Sequence, residues 1–155
     1  GSARNGKLQD GFEKRMREEG RGIVVKEWAP QKRILRHSAV VGFLTHCGWN
    51  SILEGIQCGV LFLTWPMTAE QYQNAWLLEN ELRVGVRVCE GPESIPDAKE
   101  LGRVIRLWDE TEDMKAARER AAVLKQKVGA AMMDSSRKNI EKLASHFCLL
   151  AAQQY

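Results

Sequence analysis

The most informative segment of the sequence is Val40-Val41-Gly42-Phe43-Leu44-Thr45-His46-Cys47-Gly48-Trp49-Asn50-Ser51. Its first six residues predict a β-strand, because this nearly continuous apolar run, like the one at residues 60–64, is typical of strands that are covered on both faces. Gly48 permits a tight turn, and a helical pattern begins around Trp49 and continues to Cys58. The segment therefore predicts a strand, a turn and a helix in direct succession.

The same alternation extends along the chain. Further strands are predicted at residues 22–26, 60–64 and 84–88, and further helices at about 31–37, 69–82, 98–108, 112–128 and 134–151. Asp97 is the expected N-cap of one of these helices, and residues 90–96 form a turn-rich connection. Alternating strands and helices predict an α/β fold with a parallel, doubly wound sheet. We assign residues 3–155 to one domain and interpret Gly1-Ser2 as a cloning scar.

The composition excludes several classes of protein. The 155 residues are 44% hydrophobic and 28% charged, with a formal net charge of +3 and interleaved basic and acidic residues. That pattern argues against a nucleic-acid interface. No stretch approaches the roughly 20 apolar residues of a membrane helix, and no secretory signal is visible. We therefore expect a cytoplasmic protein without a membrane span.

The four cysteines are Cys47, Cys58, Cys89 and Cys148, and their spacing is wide and uneven. No pair has the CxxC spacing of a redox or zinc site, so no metal site is predicted. An even number of cysteines would allow disulfides, but nothing else in the chain is typical of a small secreted scaffold. Free thiols in a reducing compartment are favoured.

The junction between strand and helix is a candidate anion site. Ligands of open parallel sheets bind at the carboxyl ends of the strands, and the first N–H groups of a helix have no intrahelical partners. His46, Asn50 and Ser51 would add side-chain donors there. The local pattern by itself favours a simpler interpretation, in which Asn50 or Ser51 is an ordinary N-cap.

Other polar and aromatic residues follow the predicted strands. Glu54 shares a helix face with the candidate donors and could accept hydrogen bonds from ribose hydroxyls, although the local pattern favours a surface glutamate. Trp28 offers a flat face for stacking a base, or equally a core side chain. Glu70 and Gln71 could bind sugar hydroxyls, although polar residues are common in a first helical turn.

Together these residues resemble the PSPG box of plant family 1 UDP-glycosyltransferases. The matching positions are Trp28-Ala29-Pro30-Gln31, Leu35, His37, Phe43, Thr45-His46-Cys47-Gly48-Trp49-Asn50-Ser51, Glu54, Gly59, Trp65-Pro66 and Glu70-Gln71, an interval of 44 residues. Residues 11–15 and 84–87 and the pair Ser135-Ser136 also look familial. The sequence departs from the pattern at Leu61, where proline is usual, and at Glu70, where aspartate is more frequent.

The resemblance implies the C-terminal half of a GT-B glycosyltransferase, a Rossmann-like parallel sheet flanked by helices that binds the sugar donor. The residues implied in donor binding are Trp28 and Ala29 for uracil, Gln31 and Glu54 for the ribose, His46, Gly48, Asn50 and Ser51 for the diphosphate, and Trp49, Glu70 and Gln71 for the sugar. Gln71 is loosely associated in this family with glucose.

The implied reaction is the inverting transfer of a sugar, with glucose favoured, from UDP-glucose to a hydroxyl of a small acceptor such as a flavonoid. No cofactor or metal is expected, because fixed donors would stabilise the departing diphosphate. The acceptor site and the catalytic histidine belong to an N-terminal domain in this family, so we expect no catalytic residue here and an inactive fragment. The alternatives are a stand-alone UDP-sugar-binding module or pseudoenzyme, and a different GT-B enzyme.

Overall fold

The computed structural model describes residues 8–152. They form two compact units, and the boundary between the units falls between Pro30 and Gln31 in the sequence. The interpretation of Gly1-Ser2 as a cloning scar concerns residues outside this range. The assignment of residues 3–155 to a single domain stays a prediction.

The first unit contains one helix, α1 (Phe12–Glu18), and no strand among residues 8–30. The strand predicted at residues 22–26 is therefore wrong. Ile23 is 92% exposed, and Val25 is also exposed. A β-strand requires a neighbour that satisfies its backbone hydrogen bonds, and the described part of this unit contains none.

The second unit is built on three parallel strands that lie side by side in chain order, namely β1 (Gly42–Thr45), β2 (Leu61–Thr64) and β3 (Gly85–Arg87). Thr45 lies opposite Thr64, and Thr64 lies opposite Arg87, so the three carboxyl ends share one edge of the sheet. The predicted parallel α/β sheet is confirmed. The reversal of strand order that defines a doubly wound sheet does not occur among residues 31–152.

Strand β2 is the centre of the core, and all four of its residues are buried. A central strand has neighbours on both sides and covering layers on both faces, so it needs side chains that tolerate burial at every position. Strand β1 is an edge of the described sheet, and its Leu44 is 43% exposed. The prediction of a strand covered on both faces holds for β2 and is wrong for β1.

The helices of the second unit are α2 (Gln31–Leu35), α3 (Trp49–Cys58), α4 (Gln71–Trp76), α5 (Ala98–Glu110) and α6 (Glu112–Ala152). Helix α4 continues into a π-helical turn, Leu77–Glu81. Helices α3 and α4 form the crossovers that parallel strands require. Asp97 caps α5 as predicted, since its Oδ1 accepts a 2.8 Å hydrogen bond from the Glu100 backbone N–H.

Helix α6 is continuous over 41 residues, so the prediction of two separate helices at 112–128 and 134–151 is wrong. Gly129 does not interrupt it, because a glycine within a helix costs only about 1 kcal/mol relative to alanine. The helix packs on α3, α5 and β2, with Ala117 and Ala121 buried in the core. Among residues 8–152, no helix combines the length and apolar character needed to cross a bilayer. The side chains of Ser135, Ser136 and Cys148 lie outside the described part of the structure.

Candidate functional site

The turn between β1 and α3 is held in an unusual backbone conformation. Cys47 is fully buried and has a φ of 66°, in the left-handed region that costs a non-glycine residue roughly 1–2 kcal/mol. Its N–H donates to Thr45 Oγ1 at 3.2 Å, and its carbonyl accepts from Asn74 Nδ2 at 3.0 Å. Side chains from β1 and α4 therefore hold the turn from two sides.

The Cys47 thiol has a structural role in this turn. Burial raises the pKa of this thiol to about 11, so it stays protonated at neutral pH and is a poor nucleophile. Its Sγ lies 3.5 Å from the Thr45 carbonyl oxygen. Cys47, Cys58 and Cys89 are free thiols, and the reducing compartment stays a prediction. Among the side chains that the structure describes, no group is arranged to hold a metal ion.

Helix α3 begins as predicted at Trp49, and no side chain caps its first turn. The N-cap residue is Gly48, while Asn50 and Ser51 are the second and third residues of the helix. The interpretation of Asn50 or Ser51 as an N-cap is therefore wrong. The first N–H groups and the positive end of the helix dipole can instead bind an anion, with Asn50 as an exposed side-chain donor.

Gly48 leaves room for the imidazole of His46. A Cβ atom at position 48 would lie 2.5 Å from His46 Nε2, so a side chain there would force this exposed ring to move. The absence of a side chain thus brings the exposed His46 ring beside the start of α3. From there the ring can donate a hydrogen bond to an anion held by the helix.

Gln31, Ser51 and Glu54 form a polar cluster on the flank of α3. Gln31 Nε2 lies 2.9 Å from Glu54 Oε2 and 3.4 Å from Ser51 Oγ. Glu54 is half-buried and its carboxylate accepts the hydrogen bond from Gln31, so it is not a fully solvated surface glutamate. Its carboxylate retains lone pairs that can accept hydrogen bonds from hydroxyl groups.

Glu70 and Gln71 lie at the start of α4, after the loop that follows β2. Gln71 Oε1 accepts hydrogen bonds from the N–H groups of Met67 at 2.9 Å and Thr68 at 3.1 Å. The carbonyl end of this amide is thus bonded within the loop, and its NH₂ group is the end that can reach a ligand. Glu70 is exposed, and its side chain forms no capping hydrogen bond with the start of α4.

The loop after β2 is anchored to the segment that follows β3. Trp65 Nε1 donates to the Gly91 carbonyl at 3.1 Å, and the Gly91 N–H donates to the Pro66 carbonyl at 2.9 Å. Gly91 has a φ of 83°, which glycine adopts without strain. The Tyr72 hydroxyl donates to the Met67 carbonyl at 3.2 Å. No role in the site was predicted for Gly91 or Tyr72, although Gly91 lies in the turn-rich connection predicted at residues 90–96.

An ion-pair network supports the same edge of the sheet. Arg87, the last residue of β3, places Nε 2.7 Å from Glu79 Oε1 and also pairs with Glu90. The Thr64 hydroxyl, at the end of β2, donates to the same Glu79 oxygen. The hydrogen bond to Glu79 raises the pKa of Arg87 above its usual range. The network joins the ends of two strands to the π-helical turn.

The structure brings most of the predicted site residues to neighbouring positions. His46, Gly48, Trp49, Asn50 and Ser51 lie at the start of α3, with Gln31 and Glu54 on its flank, while Glu70 and Gln71 follow the adjacent strand. Trp28 and Ala29 belong to the first unit, and their part in the site stays a prediction. Trp28 is 85% exposed, so the alternative of a core side chain is wrong.

A parallel α/β sheet with an uncapped helix start and hydroxyl-accepting groups at the carboxyl ends of its strands has the architecture of Rossmann-like domains, in which ligands bind at this edge of the sheet. Residues 12–89 match the family described as UDP-glucoronosyl and UDP-glucosyl transferase, and the chain belongs to that family.

Curated relatives from plants agree with this family. A flavonol 3-O-glucosyltransferase of Arabidopsis thaliana is 52% identical over 122 residues, which cover 77% of this chain and 25% of that protein. UDP-glycosyltransferase 89A2 of Arabidopsis thaliana is 49% identical over 145 residues, which cover 90% of this chain and 30% of that protein. The chain thus spans less than a third of the length of these relatives, and it is a plant family 1 UDP-glycosyltransferase sequence.

Solved structures confirm the predicted fold class. Arabidopsis thaliana UGT89C1 complexed with UDP has a TM-score of 0.73 at 40% identity, over 89% of this chain and 33% of that one. Glycyrrhiza uralensis UGT73P12, complexed with glycyrrhetinic acid 3-O-monoglucuronide, has a TM-score of 0.78 at 30% identity, over 92% of this chain and 31% of that one. The chain therefore has the Rossmann-like parallel sheet of GT-B glycosyltransferases.

Proposed function

We propose that this chain binds the UDP-sugar donor of an inverting glycosyltransferase that acts on a hydroxyl group of a small plant metabolite. The observation that carries the proposal is the uncapped start of α3 beside the cluster of Gln31, Ser51 and Glu54. An anion site and a hydroxyl-accepting carboxylate on one helix suit a diphosphate joined to a ribose.

The diphosphate would bind at the start of α3. The N–H groups of the first turn, the Asn50 amide, the Ser51 hydroxyl and the His46 ring supply hydrogen-bond donors, and no acidic residue lies in that turn. Gly48 lets the phosphate approach the backbone. These donors would stabilise the charge that develops on UDP as it departs, so the proposal includes no metal ion and no cofactor.

The ribose and the base would extend from this anion site. Glu54 would accept hydrogen bonds from the ribose hydroxyls, while Gln31 holds the carboxylate in place through their 2.9 Å hydrogen bond. Trp28 would stack on uracil and the Ala29 backbone would bind the edge of the base, as the resemblance to the PSPG box implies. Selectivity for uracil over adenine would come from these two residues.

The sugar would lie near Trp49, Glu70 and the NH₂ group of Gln71. Glucose is the proposed donor sugar, and rhamnose is the closest competitor to test, because Arabidopsis thaliana UGT89C1 was solved in complex with UDP-L-rhamnose. In the reaction, an acceptor hydroxyl oxygen bonds to the anomeric carbon while the bond from that carbon to the diphosphate oxygen breaks. The electron pair leaves with UDP, and a base outside this chain takes the hydroxyl proton.

The partner of this chain would be the N-terminal, acceptor-binding domain of the same enzyme. Cys47, Cys58 and Cys89 are free thiols, which supports a reducing compartment, and we place the enzyme in the cytoplasm.

Calorimetric titration of the folded chain tests the donor site. We expect saturable binding of UDP, UDP-glucose and UDP-rhamnose, with UDP-glucose tighter than UDP-rhamnose, and no comparable binding of ADP. A folded chain that binds none of the uracil nucleotides would contradict the proposed donor site. Equal affinity for ADP and UDP would contradict base recognition by Trp28 and Ala29.

A further inference from the structure

We propose that Asn74 is a positioning residue that aims the backbone N–H of Gly48 at the donor diphosphate, an inference that rests on the proposed function. Asn74 lies in α4 and is half-buried. Its Nδ2 donates a 3.0 Å hydrogen bond to the carbonyl oxygen of Cys47, 27 positions earlier in the chain. The bond joins the crossover after β2 to the turn after β1.

The geometry of the peptide bond gives this contact its consequence. The described chain has no cis peptide bonds, and the C=O and N–H of a trans peptide point in opposite directions. Because Asn74 holds the Cys47 carbonyl toward α4, the N–H of Gly48 points away from α4. Gly48 is the N-cap of α3, so this N–H precedes the unpaired N–H groups of the first helical turn.

The N–H of Gly48 is free to bind a ligand. Within residues 8–152 it donates to no acceptor, although the neighbouring N–H of Cys47 donates to Thr45 Oγ1. Gly48 is half-buried, and its N–H, at the start of a helix and without a protein acceptor, is left for a ligand or water to satisfy. An anion at the start of α3 would satisfy it.

Asn74 is needed because the conformation of Cys47 is strained. A φ of 66° is unfavourable for cysteine, so this residue returns to negative φ unless its neighbours hold it. Such a rotation would turn the peptide between Cys47 and Gly48, and the Gly48 N–H would then no longer point toward the proposed diphosphate position. The Asn74 hydrogen bond opposes this rotation from the carbonyl side, and Thr45 opposes it from the amide side.

Substitution of Asn74 tests the role by comparing two ligands that differ only in the diphosphate. In Asn74→Ala and the isosteric Asn74→Asp, we expect the affinity for UDP to fall by about tenfold or more. The affinity for uridine, followed by NMR titration, should stay unchanged. Asn80→Ala is the matched control, because Asn80 Nδ2 also donates to a helical carbonyl, that of Trp76 at 3.1 Å, on the exposed surface.

Either of two results would overturn the role of Asn74. One is unchanged UDP affinity in both variants. The other is an equal loss of UDP and uridine affinity with a lower unfolding temperature, which would make Asn74 a purely structural residue.

The wild-type chain gives a second test that does not depend on a variant that folds. In a ¹⁵N-labelled sample, the Gly48 amide resonance should shift on addition of UDP and stay in place on addition of uridine. Shifts of the Trp49, Asn50 and Ser51 amides without a shift of Gly48 would refute the positioning of this N–H. If no amide responded to UDP, the proposed donor site itself would be wrong, so the two failures are distinguishable.

Discussion

The side-chain amide of Gln31 donates a 2.9 Å hydrogen bond to the carboxylate of Glu54, 23 positions further along the chain. Gln31 is the first residue of α2 and Glu54 lies in the middle of α3, so packing of the two helices brings the groups together. The same amide nitrogen lies 3.4 Å from Ser51 Oγ. This relationship orients the carboxylate before any ligand binds.

Glu54→Ala should weaken UDP binding by about tenfold, because it removes a charged acceptor of ribose hydroxyls. Thermal unfolding should change little, since the side chain is half-buried and forms no ion pair among residues 8–152. Calorimetric titration with UDP and with 2′,3′-dideoxy-UDP checks the ribose contact, and a thermal unfolding curve checks the stability. Glu54→Ala should lose affinity for UDP and keep its affinity for the dideoxy nucleotide. The control Glu81→Ala, which removes an exposed carboxylate, should keep both affinities. Equal losses for both nucleotides would contradict the ribose assignment.

Trp28→Ala should weaken binding of UDP by about tenfold, the usual effect of removing an aromatic side chain that stacks on a base. The unfolding temperature should stay within about a degree of the wild type, because Trp28 is 85% exposed and packs against little. Trp76→Ala, at another exposed tryptophan, is the control and should bind UDP normally. Unaltered UDP affinity in Trp28→Ala would rule out stacking.

Gly91→Ala should weaken the binding of UDP-glucose more than that of UDP. Gly91 anchors the loop that leads to Glu70 and Gln71, and its φ of 83° would strain an alanine by roughly 1–2 kcal/mol. Calorimetry with the two nucleotides measures the difference. Gly129→Ala, in the helical interior of α6 with no neighbour within 4 Å of an added Cβ, should leave both affinities unchanged. Equal affinities for UDP-glucose in Gly91→Ala and the wild type would show that the anchor does not position the sugar loop.

The stability of the chain should fall at alkaline pH because of Cys47. Burial raises the pKa of this thiol from 9.0 to about 11, so the unfolded chain releases the proton first. The contribution of this protonated thiol to the free energy of unfolding is complete below pH 9.0 and is lost as the pH rises toward about 11. Over this interval the free energy of unfolding of the wild type should fall by about 2 kcal/mol more than that of Cys47→Ala, measured by urea unfolding at each pH. Identical pH profiles of the wild type and Cys47→Ala would contradict the raised pKa of Cys47.

The purified chain should form no glucoside from UDP-glucose and a phenolic acceptor. The proposed catalytic base belongs to another domain, and His46 lies at the start of α3, where the proposal places phosphate. Chromatography of the reaction mixture after prolonged incubation checks this expectation. Product formed by the pure chain, and absent when UDP-glucose is omitted, would show that the chain carries a catalytic group of its own.

Much of the fold is predictable from local sequence. The strands at 42–45, 61–64 and 85–87 fall within predicted strands, and the Asp97 cap and the limits of α3 are as expected. The failures have different physical causes. Residues 22–26 have strand propensity but no strand to pair with in the described part of their unit, while Gly129 lies in a helix that packing stabilises despite it.

The residues of the candidate site also fall into two groups, those that local sequence reveals and those that only contacts between distant residues reveal. The residues at the start of α3 are adjacent in sequence, so the pattern of strand, glycine and helix reveals them directly. Asn74 and Gly91 could not be found by such a pattern, because each acts through a hydrogen bond to a residue more than twenty positions away. Nothing in the local sequence indicates that Gln71 uses its carbonyl oxygen within its own loop.

The sequence by itself determined the α/β class, the position of the proposed anion site and the types of residue around it. These features depend on side-chain periodicity and on helix-start chemistry, which act between near neighbours in the chain. Only the tertiary structure decided that Cys47 adopts a left-handed backbone, that Gln31 binds Glu54, and that β2 rather than β1 is covered on both faces. These features require groups from separate elements to meet, and the free energy of packing the whole sheet and its helices brings them together.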